Sequence, residues 1–172
     1  MAQPFIVTAE LPADLFAWAN ALRTRHFPPE RNWLAAHVTL FHAFAPSLLE
    51  ELLGMLGDVA SAHPPPPARL DGLMNLGKGT ALAIRSPAML AIREGIAERF
   101  HGALTAQDAH PPRLHITIQN KVTSEAAKAL QAELAGALQP RDFAFTGLGL
   151  HRYTNPHWEA VRAWPFRGTK HG

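Results

Sequence analysis

Two short segments carry the same polar pair: Ala36-His37-Val38-Thr39-Leu40 and Leu114-His115-Ile116-Thr117-Ile118. An imidazole takes up and releases protons near neutral pH. Two of them facing one substrate can take a proton from an attacking water and give one to a leaving oxygen. Threonine hydroxyls beside them can donate to the non-bridging oxygens of a phosphoryl group and stabilise the charge that builds there. The spacing suits a strand, in which residues i and i+2 share a face. His37 and Thr39 then project together while Val38 and Leu40 face the core. His115 and Thr117 do the same, with Ile116 and Ile118 behind. On this alternation Phe41 joins the first pair and Gln119 the second, and His42 faces away from His37. The candidate catalytic residues are His37, Thr39, His115 and Thr117, two acid–base groups with two hydroxyl donors, a scheme that requires no metal.

The elements that hold these strands occur in the same order twice. Pro4 to Leu11 alternates as a strand. A helix follows from Pro12 to about His26, with Leu15, Trp18 or Ala19, and Leu22 on one face. After a proline-containing loop comes the first motif strand, then a helix showing Leu48, Leu52, Met55 or Leu56, and Val59. The run His63-Pro64-Pro65-Pro66-Pro67 breaks that helix. A hairpin follows, Arg69 to Leu76 and Thr80 to Arg85, turned at Gly77-Lys78-Gly79. Ser86-Pro87 then caps a helix carrying Met89, Ile92, Ile96 and Phe100. The second motif strand, a helix from about Ser124 to Leu138, and a hairpin of Phe143 to Tyr153 and Trp158 to Phe166 complete the chain. Leu70-Asp71-Gly72-Leu73 resembles Phe145-Thr146-Gly147-Leu148, and the motifs repeat at a similar offset. These patterns predict an α+β fold with an internal duplication: one unit over 1–172, with pseudo-symmetric halves of about 1–82 and 83–172. In a pseudo-two-fold arrangement of these halves, the two polar pairs would meet across a central groove.

Composition narrows the chemistry further. The 172 residues are 47% hydrophobic and 17% charged, enough for a sizeable core and unlike a disordered chain. With no cysteine, thiolate nucleophiles, disulfides and cysteine zinc sites are excluded. A net charge of +2 suits a small anionic ligand better than a long duplex, which calls for a basic stripe. Met1 to Phe5 lacks the basic and apolar regions of a signal peptide, and no segment has the length of a membrane span, so the protein is read as cytoplasmic. His151 and His157 flank a turn near Glu159, but no three-ligand zinc pattern stands out, and neither metal nor cofactor is expected. Gly77-Lys78-Gly79 is a turn and lacks the pattern of a phosphate loop.

The two His-x-Thr segments, with the length of the chain and the order of its elements, resemble the 2H phosphoesterases. That family includes the bacterial proteins called 2′-5′ RNA ligases and RNA 2′,3′-cyclic phosphodiesterases. The resemblance implies an internally duplicated, two-lobed α+β fold, each lobe an antiparallel sheet with outer helices, and the active site in a central cleft between them. It implies hydrolysis of a 2′,3′-cyclic phosphate on an RNA end or nucleotide, or reversible handling of a 2′-5′ linkage. Some members carry an arginine just after the second motif; here Gln119-Asn120-Lys121 stands instead, which leaves the phosphate-holding cation unassigned. Substrate-binding candidates are Phe41 for base stacking, Gln119, Lys121, and Tyr153 at the last hairpin's tip. Arg31 and Arg152 are further cations for the groove rim. Trp33, Trp158 and Trp164 are expected to fill the core or cover a sheet. Two alternatives stay open: a non-catalytic nucleotide- or RNA-binding module, and a phosphodiesterase for a small cyclic phosphate outside RNA.

Overall fold

The structure, a computed structural model, describes residues 3–169, so Met1 and Ala2 of the segment read for a signal peptide lie outside it. The first half gives β1 (Phe5–Glu10), α1 (Ala13–His26), β2 (Val38–Phe44), α2 (Leu49–Ala62) and β3 (Pro67–Asn75). The second gives β4 (Thr80–Arg85), α3 (Pro87–Arg99), β5 (His115–Gln119), α4 (Ser124–Ala135), β6 (Arg141–Ala144), β7 (Gly147–Tyr153) and β8 (Trp158–Pro165). Local chemistry sets several boundaries. The Ser86 hydroxyl accepts from the Met89 N–H at 3.1 Å, with Pro87 in the first turn. Thr123 caps α4 in the same way. At the proline run, α2 stops at Ala62 and His63 Nδ1 lies 2.9 Å from the Val59 carbonyl.

Two four-stranded antiparallel sheets result, ordered β2-β1-β7-β8 and β5-β4-β3-β6. The motif strands β2 and β5 are therefore edge strands in equivalent places, each beside the strand that opens its repeat. After the second helix of each repeat strands are exchanged: β3 joins the second sheet, and β7 and β8 join the first, while β6 stays in the second. The stretch from Phe143 to Tyr153, expected as one strand, is two. β6 pairs with β3, and the chain then crosses to pair β7 with β1. Phe145 is fully buried at this crossing, and Gly147 follows because a Cβ there would stand 2.3 Å from the Trp164 carbonyl oxygen. One continuous core runs through both lobes, including Leu40, Phe41, Leu82, Ile116, Phe145 and Leu148. No helix among the described residues is long and apolar enough to cross a membrane.

Candidate active site

Each motif strand carries a β-bulge at the residue after its threonine. Thr8 faces Thr39 and Val7 faces Phe41, so Leu40 is the extra residue in β2. Ala81 faces Thr117 and Thr80 faces Gln119, so Ile118 is the extra residue in β5. A bulge resets the alternation, which corrects three sequence expectations. Phe41 turns into the core, fully buried against Phe44, and does not face the cleft. Gln119 is buried too and accepts from the Thr80 hydroxyl at 2.9 Å. His42, expected to point away, instead lines the cleft with Thr39.

The two motif histidines are held in the same way. His37 Nδ1 lies 2.8 Å from the Ala35 carbonyl oxygen, and His115 Nδ1 lies 2.6 Å from that of Arg113. A carbonyl only accepts, so each Nδ1 is the protonated nitrogen and each Nε2 is left for the substrate. A cavity of about 350 Å³ is lined by both pairs, His37 with Thr39 and His115 with Thr117, and by His42 and Arg113. Burial pushes the His37 pKa down to about 4, against a hydrogen bond to Ala35 that raises it; the charges of Arg23, His151 and His115 push the same way as burial. His37 is therefore neutral at neutral pH.

Two buried arginines brace the motif strands across the lobes. Arg23 of α1 donates from Nη1 to the Thr117 carbonyl at 3.0 Å and from Nε to Asn32 Oδ1 at 2.8 Å. Arg93 of α3 donates from Nε to the Leu40 carbonyl at 3.2 Å and from Nη2 to the Asp108 carbonyl, with its guanidinium 4.2 Å from the Phe41 ring centre. Each repeat thus holds the other repeat's motif. Asp108, 1% exposed, accepts from the backbone N–H groups of His42 and Ala43 and from His42 Nδ1 at 3.2 Å. Burial alone would raise the Asp108 carboxyl pKa; the hydrogen bonds from the His42 ring and these N–H groups outweigh it and hold it low. The carboxylate fixes both the end of β2 and the imidazole of His42.

The sequence profile of the 2′-5′ RNA ligase superfamily matches residues 11–157. The chain belongs to that superfamily. Among solved structures it is similar to TT0787 of Thermus thermophilus, with a TM-score of 0.69 at 17% identity over 97% of this chain and 100% of that one. It is similar to E. coli LigT complexed with 3′-AMP, with a TM-score of 0.63 at 19% identity over 96% and 99% of the two chains. At such identities the likeness establishes the shared two-lobed fold. No curated protein matches the chain in sequence.

In this superfamily member the weaker sequence candidates lie elsewhere. Lys121 is exposed beyond the end of β5, at φ 63°, and lines neither cavity beside His37. Tyr153 sits at the β7–β8 tip, donates to Asn155 Oδ1 at 2.9 Å, and lines neither cavity. Arg152 is paired with Glu159. Among the described residues no group of three His, Asp or Glu side chains could hold a metal ion.

A second cavity of about 690 Å³ adjoins the first, and His37 lines both. Its walls include Phe16, Trp33 and Trp158, with Thr8, Glu10 and His151 as polar members. Trp33 is 49% exposed rather than core, whereas Trp164 is buried as expected. The Trp158 ring centre lies 4.6 Å from that of His37 and 5.6 Å from that of His151. His151 Nε2 and the Thr8 hydroxyl are 3.0 Å apart.

Sequence reading missed Arg23 and Arg93, although a signal was present. Each lies four residues after a buried apolar residue of its helix, Ala19 and Met89, where a cation has a core-facing position.

Proposed function

We propose that this protein is a cytoplasmic, metal-independent phosphodiesterase that hydrolyses a 2′,3′-cyclic phosphate on an RNA end or nucleotide. One observation carries the reading: two histidines, each held through Nδ1 by the carbonyl two residues earlier, line one cavity beside two threonines. His37, neutral because its pKa is depressed, is the general base. His115 takes the other role as general acid, and a phosphate bound beside it favours the protonated imidazole which that role requires. His37 Nε2 takes a proton from water as the water oxygen bonds to phosphorus. The P–O2′ or P–O3′ bond breaks, and the leaving oxygen takes a proton from His115 Nε2. The product is a phosphomonoester with a free neighbouring hydroxyl. Thr39 and Thr117 hydroxyls donate to the non-bridging oxygens. With a ribose 5′-hydroxyl attacking in place of water and the P–O3′ bond breaking, the same pair would form a 2′-5′ linkage, and the reverse of that step would cleave one back to the cyclic phosphate.

The test is turnover of nucleoside 2′,3′-cyclic monophosphates, and of an RNA ending in a cyclic phosphate, in excess EDTA. Wild type should turn over, and His37→Ala and His115→Ala should each lose about 10²–10⁴-fold in kcat. Full activity in either variant, or activity abolished by EDTA, would overturn the mechanism. Binding without turnover of any of these substrates would favour a binding module.

A further inference from the structure

The phosphate chemistry occupies the smaller cavity and leaves the larger one without a role. That larger cavity shares His37 with the smaller one, so a substrate whose phosphate meets His37 can place its remaining bulk beside Trp158 and Trp33. Its volume, about 690 Å³, lies within the range of small-molecule sites. Three aromatic side chains in its wall present ring surface, and stacking on aromatics is the usual way an unpaired base is held.

One wall is not apolar. Thr8, Glu10 and His151 converge over Gly149, where a Cβ would stand 2.2 Å from Glu10 Oε1, 2.7 Å from the Thr8 hydroxyl and 3.1 Å from His151 Nε2. The missing side chain is what makes room for these groups. Thr8 and His151 bond to each other, but the Glu10 carboxylate has neither a hydrogen bond nor an ion pair among the described residues. Half-buried and without a partner, it is an acceptor that awaits a donor.

Resting on the phosphodiesterase reading, we propose that this cavity is the nucleobase subsite and that it selects guanine through Glu10. Guanine presents two adjacent donors, N1–H and N2–H₂, and a carboxylate accepts both at once. Adenine and cytosine present an amino group beside an unprotonated ring nitrogen, whose lone pair a carboxylate repels. Uracil presents a single N–H between two carbonyl oxygens. Burial raises the Glu10 pKa, as expected for a carboxylate whose donors are supplied by the ligand. The preferred substrate is therefore an RNA end, or nucleotide, whose terminal residue is guanosine 2′,3′-cyclic phosphate.

Two measurements test this, and the first needs no variant. Turnover of the 2′,3′-cyclic monophosphates of guanosine, adenosine, cytidine and uridine is compared in EDTA. Binding of guanosine and adenosine 3′-monophosphates is measured by calorimetry on wild type, Glu10→Gln and Trp33→Ala. Wild type should favour guanine by about 10-fold or more in kcat/KM and in affinity. Glu10→Gln, which sets an amide donor against the guanine donors, should collapse that ratio mainly through KM. Trp33→Ala should weaken both nucleotides. Equal turnover of all four bases, a preference for adenine, or a guanine preference that survives Glu10→Gln would overturn the subsite while leaving the phosphodiesterase standing. Guanine-selective binding without turnover of any substrate would instead remove the phosphodiesterase and keep the subsite.

Discussion

Removing the Trp158 ring should move the acid limb of the pH–rate profile. Burial is the largest cause holding His37 at about 4 instead of the ordinary 6.5. That gap corresponds to about 3 kcal/mol favouring the neutral ring, at about 1.4 kcal/mol per pKa unit. The Trp158 ring is 4.6 Å from the imidazole and forms part of the wall that keeps water out. Trp158→Ala opens that wall, so the His37 pKa should climb by about 1–2 pH units toward its ordinary value. The assay is an NMR titration of the His37 ring in wild type and variant, with kcat/KM against pH as the functional counterpart, since kcat/KM reports the free enzyme. Wild type should show an acid limb near pH 4, and the variant one displaced upward. A wild-type His37 that titrates near 6.5, or a variant still titrating near 4, would refute burial as the cause. The sign for stability is also set. The unfolded chain binds this proton near pH 6.5 and the folded chain only near 4, so stability falls as pH drops through that window, by less than the full gap because the ring is partly solvated.

Other outcomes are expected from the supports of the site. Arg23→Met leaves the Thr117 carbonyl and Asn32 without their donor and should cost about 1–3 kcal/mol in urea unfolding. It also removes a positive charge near His37, so the acid limb should move slightly upward rather than down. Asp108→Asn places an amide where three N–H groups donate; it should lower the urea midpoint by an amount equivalent to about 2–3 kcal/mol and broaden the His42 ring signals. Gly147→Ala forces β7 away from β8 and should lower Tm with a loss of several degrees, read by calorimetry.

The order of elements and the His-x-Thr pairs were readable because they rest on periodicity and on repetition of wording, whereas the break between β6 and β7 lay hidden in a stretch that alternates as one strand. What was not readable came from one-residue events. Nothing in Leu40-Phe41 or Ile118-Gln119 announces a bulge, yet the bulge decides that Phe41 is core and His42 is at the cleft. Asp108, far in sequence from His42, reaches it only through the fold. The exchange of β3 against β7 and β8 is likewise a matter of pairing, which alternation does not encode. Trp33 illustrates the limit of composition: an apolar side chain is read as core until its exposure shows it lining a cavity.

The exchange of strands bears on how the chain could be divided. A break at Ser86 would leave an N-terminal fragment holding β1, β2, β3 and β4, with β1 missing its β7 neighbour and β4 missing β5. The other fragment would hold the β7–β8 hairpin without β1, and β6 without β3. Each piece would expose unpaired sheet edges that match only the other piece, and each would lack the arginine that braces its own His-x-Thr strand. Mixed together, the fragments should recognise one another; kept apart, each should aggregate through the edge its counterpart was shaped to cover.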